Sequence, residues 1–136
     1  MNDRPLSNAD YQVLASFRHA LRVFARFSEN AARSAGVTPA QHQLVLAVKG
    51  WPRPEPPSVS DIAERLQLRT HSTVELVRRA EQANLVTTHV DPDDHRRQLL
   101  EVTEHGERLL ASLSALHRDE LRRFRAEMHD LLEELG

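Results

Sequence analysis

Two adjacent guanidiniums stand out in DPDDHRRQLLEVT, residues 91–103, where Asp91, Asp93 and Asp94 precede Arg96 and Arg97. Asp-Pro-Asp-Asp reads as a turn, which puts the arginines at the tip of an expected hairpin. Such a tip is narrow enough to enter a DNA minor groove, where the electronegative floor of A·T-rich sequence attracts an inserted guanidinium. Arg96 is the candidate for insertion and Arg97 for a phosphate contact. Asp94, two residues before Arg96, can hold that guanidinium by a charge-assisted hydrogen bond. The plainer alternative is that the arginines only neutralise their neighbours on a solvated loop, since exposed ion pairs are common and weak.

A second set of groups lies upstream in RTHSTVELVRR, residues 69–79. As a helix, this stretch carries Thr70, His71, Ser72, Thr73, Glu75, Arg78 and Arg79 on a polar face. Residues near the start of a DNA-reading helix reach base edges, which points to His71, Ser72, Thr73 and Glu75. Arg69 and Arg79 suit phosphates, adding affinity without sequence information. The net charge of −2 decides nothing, but residues 65–79 hold four arginines against Glu75 alone, and the chain after Leu100 is acid-rich. Positive charge is thus concentrated in the middle of the chain. Tyr11, His19, Arg22, His42 and Trp51 are available to a small ligand, and each also suits ordinary surface or core.

Other chemistries find little support. The chain has no cysteine, so it holds no disulfide, thiolate metal site or thiol switch. Its eight histidines include no His-x-x-x-His, and His105, His117 and His129 are twelve residues apart. His42 could meet His105 or His117 only through tertiary folding, so a metal-responsive regulator stays a lesser alternative and no metal is expected. There is no glycine-rich phosphate loop, Gly-x-Ser-x-Gly or His-Glu-x-x-His, so neither an enzyme nor a cofactor is expected. No apolar run approaches the ~20 residues of a membrane span, and MNDRPLSNAD lacks the apolar core of a signal peptide. The expectation is a cytoplasmic protein without membrane contact.

The elements that must position these groups follow from periodicity and caps. The 136 residues, 28% charged and 40% hydrophobic, fit one compact domain with a core of Leu, Val and Ala. From Asn8 to Ala35 no Pro or Gly interrupts the three- and four-residue recurrence of Val13, Phe17, Leu21 and Phe24, predicting a long helix that Gly36 stops. Thr38, Pro39 and Gln41 open a second helix that runs to about Lys49, and WPRPEPP is a connector that cannot continue it. Ser58 and Asp61 cap a short helix through Ile62, Ala63 and Leu66. Another starts near Thr70 to Ser72, turns Val74, Val77 and Ala80 inward, and ends where Asn84 can adopt a left-handed cap. LVTTHV and QLLEV predict two strands joined by a longer loop. Thr103 caps the last helical region, whose Leu109, Leu113, Leu116, Leu121, Phe124, Met128, Leu131 and Leu135 suit packing on another long helix of the same chain or a partner.

Two short helices, a hairpin and a long helix make the order of a winged helix. The residues resemble the MarR (multiple-antibiotic-resistance regulator) transcription factors over nearly the whole chain, through TPAQHQLVLAV, SVSDIAERLQL, HSTVELVRRAEQANLV and DPDDHRRQLLEVTEHGERLL. In that family the wing carries Asp-x-Arg, then alternating apolar residues, then Leu-Thr-x-x-Gly; Asp94-His95-Arg96 and Thr103-Glu104-His105-Gly106 stand there in register. Val102 replaces the usual Leu, Asn84 a customary Gly, and Ala80 a usual Leu.

The resemblance implies a mainly α fold with a small β-hairpin: a winged helix-turn-helix flanked by long dimerisation helices. Residues 1–36 would form the N-terminal dimerisation helix, 37–103 the DNA-binding region and 104–136 the C-terminal dimerisation helices. It further implies a homodimeric, effector-responsive repressor on a near-palindromic operator in double-stranded DNA, with a small aromatic or anionic effector. A winged-helix protein-interaction module without DNA binding is the alternative.

Overall fold

A computed structural model describes residues 4–135. The elements run α1 (Asn8–Ser34), α2 (Pro39–Lys49), α3 (Val59–Leu66), α4 (Thr70–Gln82), β1 (Val86–Asp91), β2 (Asp94–Val102) and α5 (Glu104–Leu135). This is the mainly α winged helix with a two-stranded hairpin that the sequence predicts.

Each of the first three helices opens on a reciprocal capping box: Ser7 with Asp10, Thr38 with Gln41, and Ser58 with Asp61. In each, the cap hydroxyl accepts from the backbone three residues on, and that residue's side chain accepts from the cap's own amide, so two otherwise orphaned donors are satisfied. Asn84, just past α4, takes the left-handed conformation with φ 59°. That backbone turn lets Leu85 NH reach Ala80 O at 2.9 Å and starts β1 against the core.

α2, α3, α4 and the hairpin close around Leu44, Val45, Ile62, Val77, Ala80, Leu85, Val86 and Leu100, with Leu109, Leu110 and Leu113 of α5 completing the cluster. α5 begins where Thr103 Oγ1 donates to Asn84 O at 2.6 Å and accepts from Gly106 NH at 3.0 Å. A Cβ at position 106 would overlap the Leu85 carbonyl oxygen, so the first turn of α5 can press on the hairpin only with glycine there.

Two expectations are corrected. The C-terminal region is one 32-residue helix rather than several, because nothing from Glu104 to Leu135 breaks the pattern. The long α1 helix is as expected, with Val13, Ala20, Ser28 and Ala32 buried, Phe17 and Phe24 half-buried and Leu21 exposed. The hairpin turn is also shorter than expected. Pairing joins Val90 with Gln98 and then Asp91 with Asp94, leaving Pro92 and Asp93 as the turn and displacing His95, Arg96 and Arg97 from regular register. The cause is local, since Asp91 Oδ1 accepts from Asp93 NH at 2.9 Å and closes the turn early. The arginines therefore lie along the irregular start of β2, not at the tip itself.

Candidate nucleic-acid interface

α4 is held to the body through Thr73, Val77 and Ala80, which are buried at positions four and three apart. Val74, expected inside, is instead 53% exposed, and Thr73, expected to read bases, is fully buried. Thr73 Oγ1 donates to Arg69 O at 2.9 Å, so its one polar group is satisfied within the helix and its methyl packs inward. Thr73 is thus corrected from base reader to core residue. Thr70, His71 and Ser72 remain exposed on the first turn, joined by Val74, whose apolar tip the polar-face reading missed.

Farther along α4, Glu75 accepts from Arg78 Nη2 at 2.5 Å, Arg78 Nε at 3.0 Å and Arg79 Nε at 3.0 Å. These hydrogen bonds, from Arg78 first and then Arg79, hold the Glu75 carboxyl at a pKa of about 2. Glu75 therefore orients two guanidiniums rather than standing free for a base. Arg69 precedes the helix without capping it.

On the wing, Asp94 Oδ1 accepts from Arg96 NH at 3.1 Å and Arg96 Nε at 3.2 Å. The Asp94 carboxyl is pushed below its usual range by the Arg96 backbone donor first, then by that guanidinium, with a smaller push from the Arg97 charge. The Arg96 side chain is 92% exposed and projects from the wing. Arg97 goes elsewhere: Nη2 lies 3.3 Å from Asp61 Oδ2 and Nη1 3.5 Å from Asp91 Oδ2. It faces the start of α3, not the outer edge where a phosphate was expected.

Between α1, α2 and α5 lies a cleft of about 720 Å³, walled by Phe24, Leu46, Leu110, Leu113 and Leu121, with Arg118, Arg122 and Arg125 along one side. His117 Nδ1 lies 2.8 Å from Leu113 O, which can only accept, so this nitrogen carries the proton. In the neutral ring Nε2 then accepts from Ser28 Oγ at 2.9 Å. The His42 ring is 5.1 Å from that of His117, 97% buried by its 3% exposure, with Nδ1 unpartnered. Burial first, and then the neighbouring His117, lower the His42 pKa from its usual 6.5.

Of the five residues named as available to a small ligand, His42 alone lines this cleft. Tyr11, His19 and Arg22 are exposed on α1 and do not line it, and Trp51 sits on the proline-rich connector with the Arg53 guanidinium 5.8 Å from its ring centre. Helical periodicity placed the three α1 side chains but carried no information on which faces meet, and Trp51 lies outside any helix. Ser28, His117 and the three arginines were missed, although a 118, 122, 125 spacing marks one face of a helix. Among the described residues no three His, Asp or Glu side chains converge as a metal site, and no helix is long and apolar enough to cross a membrane.

Residues 35–97 match the family model described as MarR family, a span running from the end of α1 to Arg97. No curated protein matches the chain. Solved structures share the fold. AbsC of Streptomyces coelicolor, a MarR family transcriptional regulator, is similar at 20% identity with a TM-score of 0.77, over 96% of this chain and 89% of that one. MepR of S. aureus, in complex with DNA, is similar at 19% identity with a TM-score of 0.71, over 82% and 80% of the two chains. CouR of Rhodococcus jostii, bound to p-coumaroyl-CoA, is similar at 21% identity with a TM-score of 0.68, over 87% of each chain.

Proposed function

From the premise that residues 35–97 form a MarR-family winged helix, we propose that the chain is a non-enzymatic transcription regulator. It binds double-stranded DNA in the cytoplasm as a homodimer and represses from a near-palindromic operator. The observation that carries this reading is the pairing of an outward α4 face with a projecting Arg96 on the neighbouring wing, two cationic surfaces that suit adjacent grooves. Thr70, His71, Ser72 and Val74 face base edges, the last against a thymine methyl. Arg69, Arg78 and Arg79 meet phosphates, the latter two aimed by Glu75. The DNA-bound state of MepR, which has the same fold, supports this assignment.

Leu14 and Leu21 of α1 and Leu116, Leu132 and Leu135 of α5 are exposed, an apolar set on the two terminal helices that a second copy would cover. The α1–α2–α5 cleft takes the effector. Its volume of about 720 Å³ falls in the ~300–1,000 Å³ range of small-molecule sites. Apolar walls, three guanidiniums and no carboxylate in the lining favour an aromatic or anionic ligand, and the ligand held by CouR supports that choice.

Selection of bound duplexes from a random pool tests the proposal. A two-fold symmetric consensus with half-sites about one turn (~34 Å) apart is expected, with affinity falling steeply as salt rises. Salt-insensitive association with protein alone would favour the interaction-module reading instead.

A further inference from the structure

We infer that Arg97 is a positioning residue: by clasping Asp61 of α3 and Asp91 of β1 it fixes the wing on the body and so aims Arg96 outward. The inference rests on the proposed DNA-binding mode and assigns Arg97 a part distinct from the phosphate contact its sequence position suggests.

Consecutive residues of an extended strand project to opposite sides. Arg97 is drawn inward, at 46% side-chain exposure, and Arg96 is left outward at 92%. The clasp is needed because His95, Arg96 and Arg97 fall outside the regular β1–β2 pairing, so the ladder alone does not hold them. Both carboxylates that receive Arg97 are themselves fixed. Asp61 Oδ2 accepts from Ser58 NH at 2.9 Å within the α3 capping box, and Asp91 Oδ1 accepts from Asp93 NH at 2.9 Å within the turn.

Arg97 thus joins the two anchored ends, the start of α3 and the wing turn. Beside it the strand docks through Leu100 NH to Pro57 O at 2.9 Å. Because α3 packs directly against α4, a wing fastened to α3 keeps its angle to the helix expected to lie in the major groove.

A double-mutant cycle on operator DNA, read by fluorescence anisotropy across a salt series, tests this. Arg97→Ala and the paired Asp61→Asn/Asp91→Asn variant should each weaken binding roughly three- to tenfold, the scale of one or two partly exposed ion pairs. The asparagines keep the acceptor oxygens of the capping box and the turn while removing the charge Arg97 needs. The salt slope should not change, Arg97→Lys should retain part of the affinity, and in an Arg96→Ala background Arg97→Ala should cost nothing further.

A phosphate contact predicts the reverse: the Asn variants would bind more tightly and Arg97→Ala would lower the slope by about one. Either result, additivity with Arg96→Ala, or parental binding in every Arg97 variant overturns the inference. If Arg96→Ala itself leaves binding unchanged, the DNA mode has failed instead. The clasp is then judged without DNA by hydrogen exchange at Leu100 NH, which Arg97→Ala should accelerate; unchanged exchange refutes it.

Discussion

The proposed DNA-facing region and the α1–α2–α5 layer both place charged or titratable groups close together, but under opposite conditions. On α4 and the wing, Glu75 holds Arg78 and Arg79, and Asp94 holds Arg96, across two to four residues on an exposed surface. In the layer, His117 reaches Ser28 across 89 residues of sequence and packs on Phe24, Phe27 and His42. Water competes freely for the first set and less for the second, in which Ser28 and His42 are buried. The outer pairs are therefore readily exchanged and sensitive to salt, whereas the inner contacts are tied to folding. One chain so keeps its surface pairs labile and its scaffold fixed.

The largest test of this contrast is His117→Ala. It removes three ring contacts and two hydrogen bonds, and should cost about 2–4 kcal/mol in denaturant unfolding. A cost below about 0.5 kcal/mol would mean that the layer is as labile as the surface. Next, Arg96→Ala should leave thermal stability near parental while weakening operator binding at least ~10-fold; loss of both together would show the wing to be structural.

Acid gives a third, smaller separation. The folded His42 pKa lies below 6.5, so the unfolded chain binds the proton more readily. The stability tied to neutral His42 is present above pH 6.5 and falls as pH drops through the folded pKa. Melting temperature should decline below pH 6.5 in the parent and decline less in His42→Phe; parallel profiles would remove His42 as the cause. The smallest effect is expected from Glu75→Gln. Releasing Arg78 and Arg79 from a carboxylate should raise affinity for random-sequence DNA a few-fold with little change in melting. A drop in affinity would mean that orienting the arginines outweighs masking them.

The same contrast explains what could be read in advance. Caps, turns and the Asp94–Arg96 pair depend on residues two to four apart, so Thr38, Ser58, Asn84 and Thr103 could be assigned by type and spacing. Thr73 and Val74 were exchanged because Val74, Val77, Ala80 and Thr73, Val77, Ala80 both satisfy a helical stripe; the packing of α4 on the body decides for the second, and the Thr73 hydroxyl is satisfied there by Arg69 O. Arg97 and Asp61 are 36 residues apart, and no local rule joins them. Similarly, His42 and His117 were seen as capable of meeting, but which face of α5 lies against α2 is a property of the assembled layers.

α5 has one further consequence. At 32 residues it is a rod of about 48 Å, unbroken by proline and wedged at its base against the Leu85 carbonyl through Gly106. For such a rod a tilt of ~5° displaces the far end by roughly 4 Å. A small adjustment near its base is thereby magnified several-fold at its tip.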